Sequence, residues 1–228
     1  MRKAPEQALN ILTRIVSQAQ RTYEESNAQE GNLQAAYQAL WQILERLTKV
    51  SANAPKRTDG NTSARLAIIA NAVQSLDIVK DVIFCGYYFA AVALTRQLME
   101  AVTRLGELRK EEKLGRGRAP NVGHLPMNMA VNYGRLSDIA HSGMEAGLGR
   151  LAAYPGESDT VSLSPVYNAH YWEQLFALHI ENFLVLICEW HELQREVYAA
   201  EQVPDILGDL EGVLQLLVDA GHLKLLEP

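Results

Sequence analysis

The sequence contains only two cysteines among its 228 residues, so it cannot depend on a network of disulfide bonds. Cys85 and Cys188 both lie in apolar stretches with helical spacing. Thiols in such positions are typical of buried side chains in a reducing compartment. The low cysteine content therefore excludes a disulfide-rich secreted domain and favours a protein stabilised by its hydrophobic core.

Long hydrophobic runs are also missing from the chain. The most apolar stretch, Val82–Leu94, has thirteen residues, whereas a membrane-spanning helix needs about twenty. The first six residues, Met-Arg-Lys-Ala-Pro-Glu, lack the apolar centre of a secretion signal. We therefore predict a cytoplasmic protein that does not cross a membrane.

An excess of positive charge is absent as well, because the formal net charge is −6. Phosphate binding depends on Lys and Arg, so this balance excludes a general nucleic-acid-coating protein but allows a local basic patch. The sequence also lacks a phosphate-binding glycine loop and a nucleophile elbow.

Histidines and carboxylates occur close together at two places in the sequence. His170 and Glu173 have the separation of a di-iron motif in reverse order, and Glu189 and His191 diverge on a helix. Neither pattern favours a metal site, and we predict no metal and no cofactor.

What the sequence does contain is a series of apolar stripes at helical spacing. Hydrophobic residues make up 48% of the chain, which is enough for a core. We predict an all-α protein with a four-helix-bundle core over residues 62–200. An N-terminal helical hairpin over residues 1–55 precedes it, and an extra C-terminal helix within residues 201–228 packs on the core or on a partner. The first two predicted helices span residues 4–25 and 32–53, the fourth spans 87–110 and the sixth spans 166–200. Thr62 or Ser63 is expected to cap the third helix, which Gly86 closes or kinks, and the fifth begins near Pro126 and fades after Gly143 or Gly147. Pro204 suits the first turn of the last helix.

Arg96 and Glu100 lie one turn apart on the fourth helix, which is apolar nearly all round at its start and is expected at the centre of the bundle. Buried charges require partners, so we expect a buried ion pair whose loss in Arg96→Ala destabilises the fold by about 3–5 kcal/mol. The alternative interpretation is functional. In that case both side chains bind substrate in a pocket that they share with the fifth helix.

The fifth helix carries a polar seam, which we define as Arg135, Asp138, His141 and Ser142. These residues follow one another at helical spacing, opposite an apolar side that contains Tyr133. A histidine can transfer protons near neutral pH, and an arginine beside it can hold phosphate. Arg135, His141 and Asp138 are therefore candidate catalytic residues, and Ser142 is a candidate substrate-binding residue. The alternative is a buried, hydrogen-bonded network that only joins helices.

The segment before this helix, residues 109–118, has five basic and two acidic residues. It is placed to guide a phosphate backbone towards the polar seam, with Arg116 and Arg118 as candidate substrate-binding residues. A solvated loop without a ligand is the alternative.

Two patterns occur together in this chain. An aliphatic-x-Arg-x-Leu-x-Glu helix appears as Leu94–Glu100, and a Tyr-x-x-Leu-Ser-x-x-x-His helix appears as Tyr133–His141. This order resembles bacterial helical-bundle families related to the HEPN (higher eukaryotes and prokaryotes nucleotide-binding) superfamily. Their signature is an arginine, four to six residues and a histidine, which Arg135 and His141 fit. The chain departs from active members at Leu136, where they usually carry a polar residue.

The resemblance implies an all-helical protein that dimerises. Active members cleave RNA without metal in toxin–antitoxin and phage-defence systems, and other members are binding modules. The expected partners are therefore a second copy of the chain, RNA, and a protein such as an antitoxin or a defence component. Two other functions remain open: a non-catalytic helical interaction module with a structural Arg/His seam, and a sensor whose ligand pocket is closed by Arg96, Glu100 and His141.

Overall fold

The computed structural model describes residues 4–51, 59–110, 119–126, 129–140, 162 and 164–223. Within these ranges the protein is all-α, which confirms the predicted fold class. Its helices are α1 (Ala4–Asn27), α2 (Asn32–Val50), α3 (Gly60–Phe84), α4 (Tyr88–Arg109), α5 (Met129–Ala140), α6 (Ala169–Val197) and α7 (Leu207–Asp219). None of the helices in the described ranges is long and apolar enough to cross a membrane.

Local side-chain chemistry accounts for where α3 begins. The Asp59 carboxylate accepts a hydrogen bond from the Thr62 backbone N–H at 2.7 Å and so caps α3. The prediction that Thr62 or Ser63 caps this helix was wrong by one turn. Pro204 does not lie in the first turn of α7, because the helix begins at Leu207.

Helix α6 lies at the centre of the bundle and packs against α2, α3 and α4. Its residues Ile180, Phe183, Leu186 and Ile187 are fully buried. The expectation that α4 occupies the centre was wrong, since α4 leaves Phe89 46% exposed.

Aromatic rings fill the space between α6 and its neighbours. The Phe176 ring lies 5.0 Å from Phe84 of α3 and 5.5 Å from Tyr37 of α2, measured between ring centroids. The Phe183 ring lies 5.3 Å from Trp41. Such edge-to-face and tilted contacts add to the stabilisation that comes from burying apolar area.

The two helices of the predicted N-terminal hairpin pack chiefly on the rest of the protein. Helix α1 packs on α3, whereas α2 packs on α6 and α7 and contributes residues such as Leu40 and Leu47 to the common core. An ion pair between Arg46 of α2 and Asp209 of α7 joins the last helix to this layer. The division of the chain at residues 55–62 and 200 stays a prediction.

Gly86 ends α3 in the left-handed conformation, with φ at +80°. A Cβ atom there would lie 2.8 Å from Thr22 Cγ2 and 2.9 Å from the Val166 carbonyl oxygen. The residue therefore permits both the backbone turn and the close approach of two other segments.

We predict that Gly86→Ala lowers the free energy of unfolding by about 2–4 kcal/mol, through backbone strain and overpacking. The matched control is Gly212→Ala in α7, where an added Cβ meets no described atom within 4 Å. That substitution should stabilise the protein by about 0.5–1 kcal/mol. Urea unfolding measures both, and equal effects would contradict the account.

His179 and Glu181 of α6 are buried ionisable side chains. Burial lowers the pKa of His179 to about 3, with partial opposition from the Leu76 backbone, so the imidazole is neutral at physiological pH. Burial raises the pKa of Glu181 to about 7. Helix α6 therefore tolerates these residues in their uncharged forms.

Glu181→Gln should remove a pH dependence of stability. Between pH 4.5 and 7 the folded protein holds a proton on Glu181 that the unfolded chain releases, so stability falls as pH rises across this window. The variant should match the wild type near pH 4.5 and exceed it by at most roughly 3 kcal/mol at pH 8. Chemical unfolding at both pH values tests this, with the exposed Glu211→Gln as control. A constant difference between variant and wild type would contradict it.

Candidate functional site

A cleft of about 630 Å³ lies between α3, α4, α5 and the turn at Pro120. Two arginines, a carboxylate, two amides and a phenol line its polar part, namely Arg96, Arg104, Glu100, Asn71, Gln97 and Tyr133. We call it the α4–α5 cleft. Its volume lies in the range of small-ligand pockets.

An ion pair and a tyrosine form one wall of the α4–α5 cleft. Arg96 Nη2 lies 2.8 Å from Glu100 Oε1. The Tyr133 hydroxyl accepts a hydrogen bond from Arg96 Nη2 at 3.2 Å and donates one to Glu100 Oε1 at 2.9 Å. The Arg96 guanidinium also lies 5.3 Å from the centroid of the Tyr133 ring. The predicted pairing of Arg96 with Glu100 is therefore confirmed, and α5 joins it.

The predicted burial of this pair was too strong. The side chains of Arg96 and Glu100 keep 21% and 30% of their surface exposed, because the cleft opens beside them. Nε of Arg96 is buried without a hydrogen-bond partner in the described part of the chain. Water therefore reaches the pair on one side, which reduces the free energy lost when it is broken.

Tyr133 was not among the predicted site residues. It belongs to the side of α5 that the sequence marks as apolar, where a tyrosine indicates core packing. Its place in the Tyr-x-x-Leu-Ser-x-x-x-His pattern was the only sequence feature that singled it out. That pattern does not indicate that the hydroxyl binds an ion pair on α4. A phenol has an apolar ring and a polar tip, which allows it to pack on the core and also bind the ion pair.

A second arginine of the α4–α5 cleft helps to hold the turn beside it. Arg104 lies 2.6 Å from Glu107, whose carboxylate also accepts a hydrogen bond from the Asn121 backbone N–H at 2.6 Å. Burial alone raises the pKa of Glu107, but the Asn121 N–H and the Arg104 charge outweigh it and lower the pKa. Glu107 is therefore a structural anion between α4 and the turn.

The polar seam is described only in part. Arg135 and Asp138 are exposed on α5, and neither makes a hydrogen bond or ion pair within the described residues. Leu136 and Met129, on the opposite side of the helix, are buried. Arg135 and Asp138 thus do not form a buried network between helices. His141, Ser142, Arg116 and Arg118 lie outside the described residues.

The histidines and carboxylates considered for metal binding have separate partners. His191 Nε2 lies 3.1 Å from the Pro204 carbonyl oxygen, Glu189 pairs with Arg109 at 3.1 Å, and Glu173 lies 3.4 Å from His222. Over the described ranges, no three His, Cys, Asp or Glu residues converge in a way that could hold a metal ion.

Comparison of the chain with known proteins finds no matching family model, no matching curated protein and no matching solved structure. A proposal about its function therefore depends on the residues and their geometry.

We predict that Arg96→Ala lowers the free energy of unfolding by only about 1 kcal/mol, because the pair is half-open to water. Arg104→Ala should lower it by about 2–4 kcal/mol, since the side chain of its partner Glu107 is only 4% exposed. Thermal and urea unfolding compare the two variants. A larger loss for Arg96→Ala would show that the α4–α5 cleft is closed in solution.

Proposed function

We propose that this chain is a HEPN-like protein of bacterial toxin or defence type that cleaves RNA without a metal ion. Arg135 would hold the scissile phosphate and His141 would transfer the proton. The observation that supports the proposal is the position of Arg135. It lies on a helix fixed to the bundle by Leu136 and Tyr133, yet its guanidinium is exposed and has no partner among the described residues.

The α4–α5 cleft would bind neighbouring nucleotides. Tyr133 and Arg135 are two positions apart on α5 and therefore point to different sides of the helix. A strand that reached from one to the other would cross a helix about 10–12 Å wide. Polar groups of Arg96 and Glu100 at the cleft would then contact the strand away from the reacting phosphate.

The proposed reaction needs one proton transfer to begin and one to end. The ribose 2′-hydroxyl attacks the adjacent phosphorus, the bond to the 5′-oxygen breaks, and a 2′,3′-cyclic phosphate remains. His141 would accept the proton of the 2′-hydroxyl or supply a proton to the leaving 5′-oxygen, and water would exchange the proton at the other oxygen. Arg135 would stabilise the negative charge that develops on the phosphate. Asp138 would either orient the imidazole or neutralise Arg135.

Overall charge limits how tightly RNA binds. The chain carries a net charge of −6, and Arg96 and Arg104 keep carboxylate partners. Affinity would therefore depend on few phosphate contacts and would fall only modestly with salt. A cytoplasmic location is part of the proposal. It agrees with the free thiols of Cys85 and Cys188, the latter with a pKa raised by burial to about 11.

The purified protein should cut RNA in the presence of EDTA and leave 2′,3′-cyclic phosphate ends. His141→Ala should reduce the rate at least about 100-fold, and Arg135→Ala should reduce it as much or more, with the fold unchanged. Asp138→Asn should lower the rate if Asp138 orients His141 and raise it if Asp138 masks Arg135. Gel analysis of labelled RNA and circular dichroism measure these outcomes.

The matched control for this test is Arg195→Ala, which removes an exposed arginine of α6. Its rate should equal that of the wild type. Cleavage that EDTA abolishes, or that survives in His141→Ala, would contradict the proposal.

The second candidate is a non-catalytic interaction module, and the amino-terminal half of α1 favours it. Ile11, Leu12 and Val16 are 58%, 60% and 65% exposed, although they continue the face on which Ala19 packs. Exposed apolar stripes often mark protein interfaces. If the wild-type protein cuts no RNA, the interaction module becomes the proposed function. With either function we propose a homo-oligomer or a protein partner.

A further inference from the structure

A second cleft, of about 420 Å³, lies between the end of α1 and helices α2, α3 and α6. We call it the α2–α3 cleft, and it shares no lining residue with the α4–α5 cleft. Four aromatic side chains line it, namely Tyr37, Trp41, Phe84 and Phe176, and Asp77 and Lys80 supply its charges. Tyr37, Phe84 and Phe176 are buried in the core, whereas Trp41 is half-buried at the edge of the cleft.

The carboxylate of Asp77 lines this cleft, and few protein groups balance its negative charge. Its Oδ1 accepts a hydrogen bond from the Tyr37 hydroxyl at 3.0 Å. That hydroxyl is neutral, since burial raises the pKa of Tyr37 well above its usual value. Among the described residues Asp77 has no cation within ion-pair distance, and its exposed position leaves the second oxygen open to a ligand.

Lys80, in contrast, already has partners for its charge. Its Nζ donates to the Tyr23 hydroxyl at 3.1 Å and to Asp81 at 3.3 Å. It also lies 5.1 Å from the centroid of the Phe84 ring. Burial lowers the pKa of Lys80, but the Tyr23 hydrogen bond and the Asp81 charge outweigh it and raise the pKa. The unmatched charge of the cleft is therefore negative and belongs to Asp77.

We propose that the α2–α3 cleft binds a small organic cation, an amine or amidinium attached to a flat apolar body. The cationic group would donate hydrogen bonds to Asp77, and the body would lie against the half-buried ring of Trp41. A carboxylate beside aromatic faces is the combination that favours such a ligand, because both attract positive charge and the rings exclude water from the apolar part. The site is independent of RNA cleavage at α5.

Ligand-observed NMR in phosphate buffer, free of amine buffers, tests the proposal with matched probes. Benzylamine and benzamidine are the cations, benzyl alcohol is the neutral isostere and benzoate is the anion. The cations should bind in the low-millimolar range or tighter, and the other two should bind at least about tenfold more weakly.

Two substitutions on α3 should have opposite effects on the cations. Asp77→Asn removes the charge but keeps an oxygen that can accept the Tyr37 hydrogen bond, and it should weaken binding about tenfold. Lys80→Met removes a repelling charge and should tighten binding severalfold. Asp219→Asn, on α7, is the control and should change nothing. A thermal melt of each variant verifies the fold.

The proposal is overturned if wild-type protein shows no difference between benzylamine and benzyl alcohol, or if benzoate binds best. It is also overturned if Lys80→Met weakens binding of the cations, because Lys80 would then contribute to the site. Should Asp77→Asn fail to fold, the sign of the Lys80→Met effect still decides.

Discussion

The burial of α6 is the constraint on which the rest of this structure depends. Its 29 residues carry apolar side chains around almost the whole circumference over the central turns. A helix of this kind gains most of its stability from being covered, since an isolated helix of ordinary composition is only marginally stable in water. Helices α2, α3 and α4 supply that cover, and the aromatic contacts of Phe176 and Phe183 join α3 and α2 to α6.

The position of both clefts follows from this arrangement. Helix α4 uses one side against α6 and α3, so its Arg96 and Glu100 emerge at the border with α5, where Tyr133 joins them. Helix α3 in turn carries Asp77 and Lys80 at the border with α2, beside rings that belong to the core. Charged residues thus lie where the cover of the central helix ends and water can still reach them.

The exposure of Arg135 in the polar seam has a different physical cause from the position of the two clefts. Leu136 is buried and Arg135 beside it is exposed, as the 3.6-residue period of a helix requires when one side packs on a core. The same period explains why Leu136, the position after Arg135, is apolar. It faces the bundle and contributes to its stability, so it is not available to a substrate.

The sequence by itself was sufficient for the all-α fold, for most helix positions and for the Arg96–Glu100 pair, because hydrophobic periodicity and one-turn spacing are properties of a single helix. It misplaced the central helix and overestimated the burial of that pair. It also missed Tyr133 and Asp77 as lining residues. Only the tertiary structure decided these points, because exposure and pairing depend on which sides of neighbouring helices are in contact. Those contacts join residues that are far apart in the chain, such as Tyr133 and Glu100. Helical spacing determines the side of a helix on which a residue lies. Which neighbouring helix packs against that side depends on the packing of the whole bundle.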